Sequence, residues 1–455
     1  MDPGFRRGDT GEGGTAELSA LGFHWGLMRG RGSEDPRSSK EPASMTDHYD
    51  SLETRDPAER EAALMAALPD QIAHAQEKSP YYRRLLAEVD PQEVNGRAAL
   101  AQLPVTRKSA LIGLQQENPP FGGLAAAPRA GLAHVYLSPG PIADPEGRGE
   151  DWWRTGRALF AAGFRRGDLI HNSFSYHFTP AGMMFDLGGR ALGCAVFPAG
   201  VGQTEAQVDA IARLRPDGYV GTPDFLRILL DKARETGADV SSLRKASVGG
   251  GPLFPSLREA IRAAGVQVLQ SYGTADLGMV AYESEAMEGM ILDEGVIVEI
   301  VRPGSGDPVP EGEVGEVVVT SFNPDYPMIR FATGDLSAIL PGLSPCGRTA
   351  PRIKGWMGRA DQTTKVRGMF VHPEQIDRVM KRHPEILKAR AVVADKDGLD
   401  RLTLRCEVRS GGDALAQAVA ASLQAECKVR GEVEFVAPGA LPNDGKVIED
   451  TRKVG

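Results

Sequence analysis

Four stretches of the chain combine residue types capable of chemistry with the turn-formers that expose them. In LPNDGKVIED (441–450), Pro442, Asn443, Asp444 and Gly445 present one lysine, Lys446, immediately before the β-prone pair Val447 and Ile448. SVGGGPLFPSLREA (247–260) reads as strand, glycine triplet and helix. SYGTADLG (271–278) reads as a strand end bearing an aromatic, a hydroxyl and a carboxylate, and RFATGDLS (330–337) ends in an acid on a turn. In doubly wound sheets ligands sit beyond the carboxyl ends of strands, where glycine-rich turns allow close approach to the backbone. Each stretch also has a plainer reading: a tight turn for the triplet, core filler for Tyr272, a turn carboxylate for Asp335 and a solvated loop cation for Lys446.

The elements that must position these groups follow from periodicity. From about 131 to 275, the apolar β-prone runs GDLIHNSF, GCAVFPAG, PDGYVGTP, KASVGGGPL and VQVLQSYG alternate with amphipathic stretches, the signature of βαβ units. The fold class is therefore α/β: mainly parallel sheets flanked by helices. Between 291 and 340, GVIVEIV, GEVGEVVVTSF and FATGDLSAIL predict a β-rich subdomain, separated by Gly/Pro turns. After Gly358 to Gly368, a helix in HPEQIDRVMKRHP and strands in KARAVVADKDG, RLTLRCEVR and VEFVAPG predict a small, mobile α+β domain. The expected organisation is a leader over 1–44, a large domain over 45–357 and a small domain over 358–455 that carries Lys446. The leader is rich in Gly, Arg, Ser and Pro and is expected to be disordered. From Asp56, an Asp cap, a proline at the first turn and helical spacing of apolar residues predict helices.

Length and composition bound the function. At 455 residues, 41% hydrophobic and 25% charged, the chain has the makeup of a soluble globular protein with core enough for two lobes. A net charge of −9 without a basic run argues against nucleic acid as the main partner. Cys194, Cys346, Cys406 and Cys427 lie scattered, with no CxxC spacing, which fits a reducing, cytoplasmic setting. No apolar run approaches the roughly 20 residues of a membrane span. The oligomeric state, a homodimer included, is left open.

The order of the motifs is more specific than any one of them. A Gly-rich turn, Tyr-Gly-x-x-acid, TGD, Gly-Arg-x-Asp with a following Lys-x-x-Gly, and a C-terminal Gly-Lys together resemble the adenylate-forming superfamily of acyl-CoA synthetases. SYGTADLGMVAYES, GRTAPRIKGWMGRADQTTKVRGMFVHPEQID and RDPAEREAALMAALPDQIAHAQEKSPYY look most like its phenylacetate-CoA ligase branch, and the resemblance covers about residues 45 to 455. It implies activation of a small carboxylic acid with ATP to an acyl-adenylate, then rotation of the small domain and transfer to coenzyme A. By that pattern Gly249, Gly250 and Gly251 lie along the adenine, Tyr272 stacks on the base and Thr274 bonds the α-phosphate. Asp276 stands where the family usually has a Glu that holds Mg²⁺. Asp335 accepts the ribose hydroxyls with Arg359 beside it, Asp361 is the hinge, and Lys365 and Gly368 line the pantetheine entry. Lys446 then reaches the carboxylate and α-phosphate oxygens during adenylation, with Lys453 a lesser candidate.

One stretch departs from the family. The Ser/Thr/Gly-rich phosphate loop is replaced by VYLSPGPIADPEGRGED (135–151), which retains Ser138 and Gly140 but brings prolines at 139, 141 and 145 and acids at 144, 146, 150 and 151. Each proline removes an amide donor and acids repel a triphosphate; Arg148 is the compensating clamp. For the acid, NSFSYHFTPAGMMFDLGGRALGC (172–194) offers Phe174, Tyr176, His177, Phe178, Met183 and Met184 either as a slot for an aryl or medium acyl group or as core. An amine or carrier-protein acceptor, and a nucleotide-binding pseudoenzyme, are the alternatives to a coenzyme A ligase.

Overall fold

The Asp56 signal produces the helix Pro57–Lys78: the carboxylate accepts from the amides of Ala58 and Glu59 at 2.8 and 3.2 Å, satisfying donors that have no partner within a first turn. Pro69 does not end this helix. Leu68, Ile72 and Ala75 are fully buried around it, and that packing outweighs the local cost of a missing amide. Asp56→Ala removes only the cap and is expected to lower stability by about 1 kcal/mol, read as a shift in the urea midpoint. The structure, a computed structural model, describes residues 48–452 except 139–140, 361, 363, 367–368 and 397–398. The expected leader, Gly140, the Asp361 hinge, Gly368 and Lys453 lie outside the described residues.

All five predicted βαβ strands form. Ala195–Pro198, Leu169–Asn172, Gly218–Gly221, Lys245–Val248 and Gln267–Thr274 are parallel neighbours in that order. The same sheet continues antiparallel through Gly278–Glu283, Met290–Leu292, Arg352–Ile353 and Ile339–Leu340 to nine strands. Its parallel half is therefore only part of a mixed sheet. Buried Val220, Ala246, Val248 and Val268 show why these runs lack alternation: both faces are covered by helices.

A second sheet has the order Thr106–Arg107, Phe331–Ser337, Gly315–Ser321, Val296–Val301. Asp335 was expected on a turn; it lies within the strand Phe331–Ser337. The register against Gly315–Ser321 shifts between Glu316 and Val318, and Gly334 takes φ +77°, a left-handed bend that a β-carbon resists. The resulting bulge, rather than a loop, re-aims the Asp335 side chain. The C-terminal segment has its own four-stranded sheet, ordered Glu432–Val436, Leu399–Val408, Ile386–Lys396, Ile448–Asp450. Helices Pro373–Arg382 and Asp413–Cys427 share its apolar core with Val366, Ile376, Leu404 and Leu423.

Candidate functional site

The glycine triplet sits at the carboxyl end of Lys245–Val248. A β-carbon on Gly249 would lie 3.1 Å from the Ser271 carbonyl oxygen, and Gly250 has φ +69°. Beside it, in the next strand, Tyr272 is half-buried and its hydroxyl reaches Asp335 Oδ2 at 3.0 Å and Thr333 Oγ1 at 3.1 Å. Burial and then the Asp335 charge hold the Tyr272 pKa well above its ordinary value, so the phenol remains a donor. Asp335 Oδ1 accepts from Arg359 Nη1 at 2.9 Å and from Trp356 Nε1 at 3.1 Å. The backbone explains how Arg359 arrives. Leu336 N donates to Gly358 O at 2.9 Å, Met357 N to Leu336 O at 2.9 Å and Ala360 N to Gly334 O at 2.7 Å, so 357–360 runs antiparallel along the bulged strand. Trp356 carried no signal in the sequence beyond its place three residues before Arg359.

Thr274 and Asp276 occupy the turn from Gln267–Thr274 into Gly278–Glu283. Thr274 Oγ1 accepts from Leu277 N at 3.2 Å. Asp276 is buried and its Oδ2 lies 2.5 Å from Lys108 Nζ, while its Oδ1 has no hydrogen-bond partner. Lys108 is delivered by the short strand Thr106–Arg107, which pairs in parallel with Phe331 and Ala332. The stretch in the phosphate-loop position is a tight hairpin: His134–Ser138 pairs with Ile142–Glu146, and Ser138 opposes Ile142. Ser138 Oγ is turned into the hairpin, donating to Ile142 O at 3.3 Å. Arg148 is exposed.

Lys446 is exposed, and among the described residues its ammonium makes no ion pair. Its backbone is closely held. Gln362 Oε1 accepts from Val447 N at 2.5 Å and Ile448 N at 2.8 Å, and Gln362 Nε2 donates to Gly445 O at 3.0 Å. Gln362 thus brackets the lysine on both sides, a role invisible in the sequence. Gly445 packs on Val314 and on Leu336, the neighbour of Asp335, and Asn443 Oδ1 accepts from Val314 N at 3.0 Å. Lys446 lines a cavity of about 530 Å³ with Arg302, Glu313, Val314, Asn443 and Gly445.

The expected acyl-pocket residues are not gathered in one slot. Phe174 is buried, stacked on Phe185 at 5.1 Å, and shares a core with Met184, against which Met183 packs. Its ring edge also comes within 3.5 Å of where a Gly250 β-carbon would stand, so Phe174 alone touches both the core and the glycine turn. Tyr176 is fixed by Asn172 Nδ2 at 2.8 Å and Asp186 Oδ2 at 3.1 Å. His177 is exposed, and Phe178, at φ +61°, is 78% exposed.

Residues 162–323 match the AMP-binding enzyme family, and residues 368–452 match the AMP-binding enzyme C-terminal domain. A phenylacetate-coenzyme A ligase of Aromatoleum evansii is 31% identical over 368 residues, 77% of this chain and 82% of the relative. One from Thermus thermophilus is 32% identical over 355 residues, 74% and 79%. The chain belongs to the AMP-binding, adenylate-forming enzyme family. Its relatives put it on the phenylacetate-CoA ligase-like branch. A solved 2-hydroxyisobutyryl-CoA ligase in the postadenylation state with R3-HIB-AMP superposes with a TM-score of 0.67 at 26% identity, over 92% of this chain and 95% of that one. No described helix is long and apolar enough to cross a membrane.

Proposed function

We propose that the chain is an AMP-forming acid–CoA ligase. A carboxylate oxygen attacks the α-phosphorus of ATP and pyrophosphate leaves; the thiol of coenzyme A then attacks the acyl carbon and AMP leaves. Asp335 carries the assignment: a carboxylate fixed through both oxygens by Tyr272, Trp356 and Arg359 is the acceptor a ribose diol needs, and Tyr272, which donates to it, stands one strand from the glycine turn. Phe174 beside that turn supports an aryl or other apolar acyl group. Asp276 fits a hard cation, because its Oδ1 is buried without a donor. Mg²⁺ held there would neutralise phosphate charge, while Thr274 at the same turn offers a hydroxyl to the α-phosphate. Lys446 supplies a cation where charge develops in adenylation. We assign the large domain to 45–357 and the small one to 358–455, with Asp361 as hinge and Lys365 and Gly368 at the pantetheine entry. Four free, buried cysteines support a cytoplasmic setting.

A panel of carboxylic acids assayed for AMP release tests this reading. Sustained release that needs both one acid and coenzyme A is the expected result. Release that instead follows an added amine or carrier protein assigns a different acceptor. Gln362→Ala, which frees the Lys446 segment without removing the lysine, is expected to slow acyl-adenylate formation roughly tenfold through misplacement alone, read in a single-turnover assay with that acid.

A further inference from the structure

The turn that carries Lys446 is shaped from within its own segment. Glu407 Oε1 accepts from Leu441 N at 2.7 Å. The buried Arg390 donates to Pro442 O at 3.2 Å and to the Asp444 carboxylate, whose Oδ1 also accepts from Lys446 N at 3.1 Å. With Gln362, these groups hold residues 441–448 against the C-terminal sheet. Asn443 takes no part in that internal set. It is exposed, and its amide spans the chain instead: Oδ1 accepts from Val314 N at 3.0 Å and Nδ2 donates to Gly312 O at 3.2 Å.

From Gln362 onward, among the described residues, hydrogen bonds to the proposed large domain come from Asn443 alone. The ion pairs that cross the same boundary are long and solvated: Arg107 Nε to Glu374 Oε1 at 3.9 Å and Lys381 Nζ to Asp307 Oδ2 at 3.8 Å, pairs of a kind that contribute little. Packing adds closeness without direction. A β-carbon on Gly445 would stand 2.8 Å from Val314 Cγ1 and 3.1 Å from a Leu336 methyl, and one on Gly304 would stand 2.9 Å from Glu374 N. Direction comes from the Asn443 amide, which offers an acceptor and a donor side by side. It takes the N–H and C=O of residues two apart, the spacing at which a residue of a parallel strand bonds its neighbour. Val314 is buried and stands one residue before the strand Gly315–Ser321, so its amide lies outside that ladder and needs a partner from elsewhere.

We propose that Asn443 is a positioning residue for adenylation: it seats the Lys446 turn beside the strand that bears Asp335, and it lets go before thioester formation. This rests on the ligase reading above. Lys446 is three residues beyond Asn443, and the intervening Gly445 meets Leu336, the neighbour of Asp335. Undocked from residues 312–314, the turn keeps its internal shape but loses its place. Two neutral hydrogen bonds bias the docked state and still break in every cycle.

Two measurements on the full chain test this. Hydrogen–deuterium exchange read by mass spectrometry needs no substrate. In Asn443→Ala the peptide containing Val314 N is expected to exchange several-fold faster at an unchanged melting temperature, while peptides of the C-terminal sheet keep their wild-type rates. In single-turnover assays with the acid found by the substrate panel, Asn443→Ala should form acyl-adenylate about tenfold more slowly, because the competent state is less populated. It should convert a synthetic acyl-adenylate and coenzyme A to thioester no more slowly than the wild type. Asn443→Asp keeps the acceptor for Val314 N, loses the donor to Gly312 O, and should fall between. Unchanged exchange at Val314, adenylation at the wild-type rate, or equal slowing of both half-reactions overturns the proposal. A wild type that releases AMP with no acid of the panel would overturn the ligase reading, and the positioning role with it; the exchange measurement, which needs no acid, tells that failure apart from failure of the Asn443 contact.

Discussion

Asp335→Ala is expected to raise the Kd for ATP roughly 10- to 150-fold, about 1.5–3 kcal/mol, the usual worth of a hydrogen bond to a charged group. Tyr272, Trp356 and Arg359 point their donors at this carboxylate, so ribose hydroxyls meet an acceptor whose rotamer is already set and little ordering remains to be done on binding. Removing it also leaves the Tyr272 hydroxyl with Thr333 Oγ1 alone. Asp335→Asn keeps the shape and one acceptor oxygen and should fall between the two. Calorimetry that returns wild-type affinity for Asp335→Ala would remove the ribose assignment, and with it the observation on which the functional reading leans most.

What the sequence disclosed and what it concealed divide along a physical line. The five parallel strands were legible because each is a short apolar run closed by Gly, Pro or Asn, a local signal. The same holds for the helix after Asp56. Asp335 was expected on a turn and lies inside a bulged strand: TGD suits a turn and a bulge equally, and only the register shift between Glu316 and Val318 distinguishes them. Phe178 was read by hydrophobicity alone and is mostly exposed. Partnerships across long separations left no trace. Lys108 meets Asp276 from 168 positions away, and Gln362 brackets Lys446 from more than 80.

The phosphate-loop stretch shows how composition can be read correctly yet incompletely. Its prolines and acids do remove amide donors and add negative charge. The added charge has a position, however, and position decides its meaning. Glu146 accepts from Tyr136 within the hairpin, whereas neither oxygen of the buried Asp144 has a hydrogen-bond partner. Spacing predicts the common face of residues 144 and 146; which of the two is left unpaired depends on Tyr136 and His134, and that only the fold reveals.

Lys446→Ala is expected to slow acyl-adenylate formation on the order of 10²–10³-fold, the loss that follows removal of one preorganised charge-stabilising group. The lysine is suited to a role confined to one half-reaction. Its ammonium is free of ion pairs among the described residues, while its backbone is pinned by Gln362, the residue next to the proposed hinge. A turn of the small domain about Asp361 would therefore carry Lys446 away as a unit, and the two half-reactions should separate by mutation. Lys446→Ala should still convert a synthetic acyl-adenylate and coenzyme A to thioester at a rate near wild type. Asp361→Pro, which fixes φ at the hinge, should do the reverse, sparing adenylation and slowing thioester formation. Both arms are read in single-turnover assays with the acid found by the substrate panel. Wild-type adenylation by Lys446→Ala would return the lysine to the status of a solvated loop cation, and Gln362 would then be holding nothing but a turn.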